Sequence, residues 1–173
     1  MASNNGKPLP DLTDQTFQTD CINNHAIYRS KHMNTPNLTV EQSLITYAQN
    51  RCQDISSKPQ LTGEDSGNYL SLGQNTYWVG LPGNVKQIAP CSNAVPAWYN
   101  EISKYNYSKP GYSSATGHFT QLVWKDSLQV GCARCGGNGG TYYETYIVCV
   151  YKPQGNIIGV NFATEVMPLK TSG

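Results

Sequence analysis

The chain has 173 residues, with 12 Lys and Arg against 11 Asp and Glu and a formal net charge of +1. That length suits one domain with a core of two or three packed layers, and balanced charge without a basic run excludes the phosphate neutralisation on which nucleic-acid binding rests. No stretch is long and apolar enough to span a bilayer, so no transmembrane segment is expected.

The opening MASNNGKPLPDLTD lacks the apolar core of a signal peptide. Residues 1–11 are therefore expected to be disordered or left over from expression after removal of a natural signal, with a single domain over 12–168 and a tail at 169–173. In LTDQTFQTDCINNHAIYRSKH, Phe17, Cys21 and Tyr28 recur at helical spacing with His25 between them, which predicts a first helix over residues 12–31. NTPNLT breaks it, and VEQSLITYAQNRC repeats the pattern with Val40, Leu44, Tyr47 and Ala48 for a second helix. Residues 56–91 are rich in Gly, Pro, Ser and Asn, with one apolar patch at NYLSLG. A long loop holding one small strand is expected there, and loops of that length in a compact domain usually carry function.

VPAWYNEISKY predicts a third helix with Pro96 in its first turn. Trp98, Ile102 and Tyr105 form its apolar stripe, and Glu101 beside them is a partly desolvated carboxylate that needs a partner. TGHFTQLVWK predicts a short fourth helix burying Phe119, Leu122 and Val123. SLQVGCARC and TYYETYIVCVYKP read as two strands joined by GGNGG, the second rich enough in β-branched and aromatic residues to be central. Helices first and strands later predict an α+β fold with an antiparallel sheet.

Six cysteines stand at 21, 52, 91, 132, 135 and 149, and only 132 and 135 have the C-x-x-C spacing of a zinc or redox motif. No second pair completes a four-thiolate zinc site, and Cys135 runs into a glycine turn where a thioredoxin-like motif would run into a helix. Three disulfides are the preferred reading, which implies an oxidising, extracellular setting. NLT at Asn37 and NYS at Asn106 are glycosylation acceptors consistent with secretion.

GHFTQLVWKDSLQVGCARC resembles the first signature of the CAP superfamily of cysteine-rich secretory, antigen 5 and pathogenesis-related class 1 proteins. YIVCVYKPQGNIIG resembles its second signature, with Val150 where a polar residue is usual, and HAIYRSKHMNTPNL is similar to its opening segment, with Ala26 where Asn is common. YNYSKPGYSSATGHFTQLVWK is especially similar to fungal and helminth venom allergen-like members. The resemblance spans about residues 17–159 and implies a disulfide-bonded three-layer α/β/α sandwich. It also implies the pairs Cys52–Cys135 and Cys132–Cys149, leaving Cys21 with Cys91.

Many members of that family hold two histidines and two glutamates around a central cavity that can bind a divalent metal. The resemblance puts His118 at the second histidine and Glu101 at the second glutamate, while Ser56 of CQDIS and Asn68 of GNYL replace the other two. Zinc generally takes three or four protein ligands, so no metal and no cofactor are expected unless Glu64 or Asp65 turns inward. His118 and Glu101 are instead expected to join the third and fourth helices by an ion pair or hydrogen bond. His25 is expected to be structural and His32 solvated. No G-x-S-x-G elbow or Asp-oriented triad accompanies His118, and Ser113, Ser114 and Thr116 read as caps, so no enzyme is expected.

YNYSKPGY carries Tyr105, Tyr107 and Tyr112 as aromatic-x-aromatic-x4-aromatic, with Pro110 and Gly111 in the turn. In fungal and helminth members this stretch resembles a caveolin-binding-like loop linked to sterol binding. Flat rings with hydroxyl tips suit a rigid amphiphile. The expected function is therefore secreted, non-enzymatic binding and carriage of sterols or other lipids, fatty acids included. The alternative is an allergen-like interaction module that takes an extracellular protein partner through residues 56–91. The first helix is a candidate wall for a fatty-acid channel, although Phe17 fits the core better.

Overall fold

The computed structural model describes residues 6–58 and 71–171. Asp14 opens helix α1 (Gln15–Arg29), its carboxylate accepting the Phe17 N–H at 2.8 Å and so satisfying a donor that a helix start leaves free. Strand β1 (Thr39–Val40), helix α2 (Gln42–Ser56) and strand β2 (Gly73–Pro82) follow. Helix α3 (Cys91–Tyr99) tightens into a 3-10 turn (Asn100–Lys104) before helix α4 (Gly117–Leu122), and strands β3 (Gln129–Asn138) and β4 (Tyr142–Lys152) form the hairpin around GGNGG. The third helix thus begins earlier than its sequence pattern suggests, with Pro96 in its interior.

The sheet has the order β1-β3-β4-β2, and β3 and β2 flank β4 antiparallel over their whole lengths. β1 runs parallel to β3, so the sheet is mixed where an antiparallel one was expected. Two residues are too few to show any period, which hid this strand in the sequence. The loop expected over 56–91 also needs correction, because β2 is a ten-residue strand in it. Gly73, Gly80 and Pro82 disguise β2 as loop, yet Pro is tolerated at the end of an edge strand such as this one.

Alternate residues of a strand face opposite ways. Ile147, Cys149 and Tyr151 of β4 enter one core with Phe17, Trp98, Phe119 and Leu122, while Tyr146, Val148 and Val150 enter another with Leu44, Ala48 and Ile55. Residues of α1, α3 and α4 therefore cover one face of the sheet and α2 the other. Burial against α2 accounts for an apolar residue at Val150. Gly131 allows that close approach, since a Cβ there would overlap the backbone of Leu44 and Ile45.

The disulfides tie these elements together: Cys21–Cys91 joins α1 to α3, Cys52–Cys135 joins α2 to β3, and Cys132–Cys149 joins register partners of β3 and β4. The last two are the pairs that the family resemblance implies, and the first is the pair that it leaves over. The first two close separations of 70 and 83 residues, for which the chain-entropy estimate is about 4 kcal/mol each.

Three expectations about the ends of the fold are corrected. Leu9 is buried and its N–H donates to Ser56 Oγ at 3.0 Å, and Asp11 bridges to Cys135, so the domain begins before residue 12. A single apolar residue between prolines has no period to read. Leu169 bridges to His32 and is therefore part of the fold, not a free tail. His32 itself is fully buried, its Nδ1–H donating to the Met167 carbonyl at 2.7 Å and its Nε2 accepting from Tyr99 Oη at 2.9 Å.

Candidate functional site

Trp98 fixes α3 to β2 by donating its indole N–H to the Thr76 carbonyl at 3.0 Å. That places the following 3-10 turn beside α4, where Glu101 meets two donors. Its Oε2 accepts from His118 Nδ1 at 2.9 Å and its Oε1 from the Phe119 N–H at 3.0 Å. The carboxylate thus satisfies a free donor at the start of α4 and holds His118 as the Nδ1–H tautomer. The imidazole lies parallel to the Trp98 ring, with centroids 6.3 Å apart.

His118 lines a cavity of about 70 Å³ with Gln74, Asn75, Tyr112, Ser114 and Asn156. Asn75 donates to the His118 carbonyl at 3.0 Å and Asn156 to the Gly117 carbonyl at 2.8 Å, so two amides pin the start of α4. Asn68, Glu64 and Asp65 lie outside the described residues. Gln74, at the start of β2, is one of three neutral amide side chains, with Asn75 and Asn156, that share the cavity with His118. Ser56 is not at this cavity; at the end of α2 its hydroxyl accepts from Leu9 and donates to the Gln53 carbonyl.

These groups do not fit a zinc site. Glu101 already accepts two N–H donors, and among the described residues the cavity wall contributes one imidazole with only neutral amide and hydroxyl side chains beside it, where three or four anionic or imidazole ligands are needed. Among the described residues, the one close group of three or more His, Cys, Asp or Glu ligand atoms is Cys21, Cys91, Cys132 and Cys149, all of them in disulfides. Ser114 shares the cavity but makes no hydrogen bond to His118, so the pair has no aligned nucleophile among the described residues.

The tyrosine loop continues from the same turn. Tyr105 is an anchor, its ring set against Phe119 at 5.5 Å and edge-on to Tyr107 at 4.9 Å. Tyr107 and Tyr112 are 39% and 50% exposed, so their rings are the ones the loop presents to solvent. Tyr107 Oη donates to the Met167 carbonyl at 3.4 Å, and desolvation pushes its phenol up to about 12. Tyr112 lies over Gly117, where an added Cβ would come within 3.1 Å of its ring. Exposed Asn106 accepts the Ser108 N–H at 2.9 Å, an Asx turn that starts the loop before Pro110 and Gly111, and Asn37 is exposed as well.

Residues 22–151 match the Cysteine-rich secretory protein family, CAP. Protein PRY2 of Saccharomyces cerevisiae is 42% identical over 157 residues, covering 88% of this chain and 42% of the yeast protein. The chain thus spans less than half of that relative. The human Golgi-associated plant pathogenesis-related protein 1 is 30% identical over 155 residues, covering 89% of this chain and 94% of the human one. Among solved structures, venom allergen-like protein 4 of Schistosoma mansoni superposes with a TM-score of 0.62 at 20% identity, covering 92% of this chain and 97% of that one. With its motifs, its disulfides and this match over most of its length, the chain belongs to the CAP family of cysteine-rich secretory proteins.

Proposed function

We propose that this chain is a secreted, non-enzymatic protein that binds and carries sterols through the loop at Tyr105–Tyr112, with fatty acids as a further ligand class. The observation that carries this reading is the division of labour among the tyrosines: Tyr105 is packed, while Tyr107 and Tyr112 hold half-exposed rings on either side of Pro110 and Gly111. Paired rings with hydroxyl tips match a flat apolar ligand that carries one hydroxyl. Ligand pockets usually measure about 300–1,000 Å³, far more than the cavity beside Tyr112, so the loop has to lift from Gly117 to admit a sterol. Affinity then comes mainly from burial, at about 25 cal/mol per Å² before association costs.

Three disulfides and exposed acceptor sites at Asn37 and Asn106 support an extracellular, glycosylated protein. The test is Tyr107→Ala with Tyr112→Ala, assayed by cholesterol titration. Binding should weaken by about tenfold or more while the disulfides and the fold stay intact. Unchanged affinity would refute the site.

A further inference from the structure

Two of the three disulfides touch. The sulfurs of Cys21, Cys91, Cys132 and Cys149 all lie within 4.8 Å of one another, in the core shared by α1, α3, α4 and the sheet. One bond joins the two helices and the other joins β3 to β4. Cys52–Cys135 stands apart, in the core under α2. Disulfides exchange when a thiolate attacks a disulfide sulfur, and here each bond has the other as its neighbour.

A cavity of about 250 Å³ opens at one end of this cluster, between α1, the start of α3 and β3, lined by Asp14, Phe17, Asp20, Pro90, Ser92 and Arg134. Phe17 stands one turn before Cys21 and Asp20 directly before it, while Pro90 and Ser92 flank Cys91, so the lining brackets both ends of the Cys21–Cys91 bond. Asp20 accepts the Ser92 N–H at 2.8 Å beside it. Cys21 is 2% exposed, against 0–1% for the other three cysteines of the cluster, which makes it the point of entry. Arg134 lies 4.0 Å from Asp14 in this cavity. A guanidinium with two carboxylates offers partners for a carboxylate and an ammonium carried by one small molecule.

We propose that Cys21 is a thiolation site for a small zwitterionic thiol, with Cys132–Cys149 as the internal partner that receives the displaced thiolate. The external thiolate attacks Cys21 Sγ, the Cys21–Cys91 bond breaks, and Cys91 leaves with the electron pair. Cys91 Sγ then attacks Cys132 or Cys149. The other member of that pair leaves as a thiolate and takes up the proton that the external thiol gave up. Two disulfides and one thiol stand on each side of the exchange, so no oxidant or further reductant is needed. The product ties α3 directly to the sheet and releases α1 from α3. Lipid binding at the tyrosine loop uses none of these groups.

The test is titration of the native, oxidised chain with reduced glutathione at mildly alkaline pH, followed by alkylation, digestion and disulfide mapping by mass spectrometry. The expected map shows glutathione on Cys21, a new Cys91–Cys132 or Cys91–Cys149 bond, loss of both native bonds of the cluster and an intact Cys52–Cys135. In Cys132→Ala with Cys149→Ala, glutathione should still add to Cys21, and Cys91 should then be recovered alkylated. Cys21 left unmodified, Cys91 alkylated in the parent beside an intact Cys132–Cys149, or Cys52–Cys135 opening together with the cluster would each overturn the proposal. If the double variant fails to fold, the map of the parent alone decides. No lipid enters the assay, so its outcome is independent of the sterol reading.

Discussion

Tyr151 Oη donates to Nε2 of His25 at 2.8 Å, tying β4 to α1 through the middle of the core. His25 Nδ1–H donates in turn to the Cys21 carbonyl at 2.7 Å, and Asn75 Nδ2 reaches the same tyrosine oxygen at 3.4 Å before bonding the His118 backbone. A chain of side-chain bonds therefore runs from α1 to the start of α4. It works only with a neutral His25, because Nε2 must accept.

That requirement predicts a pH dependence. Desolvation, assisted by nearby Arg29, pushes His25 from 6.5 down to about 4, although the bond to the Cys21 carbonyl opposes the shift. The unfolded chain binds a proton near 6.5 and the folded one only near 4, so the unfolded state holds more protons between those values. Stability should be full above about pH 6.5 and fall toward pH 4, by about 3 kcal/mol for this residue. Burial depresses His32 in the same direction. Urea denaturation at steps from pH 7 to 4 checks the slope, and His25→Gln, which keeps a donor and an acceptor, should flatten part of it. A pH-independent midpoint would contradict the buried neutral pair.

Arg29 is buried and its guanidinium serves four carbonyls, those of Pro36, Leu122, Trp124 and Ser127, at 2.8–3.1 Å. It closes the segment after α4 onto α1. Arg29→Met would leave those acceptors dry and unpaired, and should cost about 3 kcal/mol or more in chemical denaturation. Arg29→Lys should cost less but still destabilise, since an ammonium cannot span the fork.

Glu101→Ala removes the acceptor shared by His118 and the Phe119 N–H. It should lower stability by about 1–3 kcal/mol, with Glu101→Gln recovering part, and neither should change cholesterol affinity. Added zinc should raise the thermal midpoint of neither the parent nor the variant, as binding confined to the folded state would do. A zinc-dependent rise abolished by Glu101→Ala would overturn this structural role.

Where the local pattern is strong, fold and sequence largely agree: α1 and most of α2 follow from spaced apolar positions and β4 from its β-branched and aromatic run, although Val40, expected in the second helix, lies in β1 and is exposed, and Glu101 announced its need for a partner by standing beside an apolar stripe. What escaped has partners far off in the chain. His32 looks solvated at the end of a periodic stretch because its bonds come from Tyr99 and Met167, 67 and 135 residues away. Arg29 looks like a surface cation until four carbonyls close round it. Gln74 gives no sign of the cavity in the sequence, because Gly73, Gly80 and Pro82 disguise the strand that places it there. Gly73 has a packing reason, since a Cβ there would overlap the Gln121 side chain, which accepts the Gly155 N–H at 2.9 Å.

The sterol reading is tested most directly by titrating purified protein with radiolabelled cholesterol in the presence and absence of a competing fatty acid. Saturable binding that the fatty acid does not displace is the result expected of a sterol site at Tyr107 and Tyr112. Absence of saturable binding would contradict it and turn attention to an extracellular protein partner.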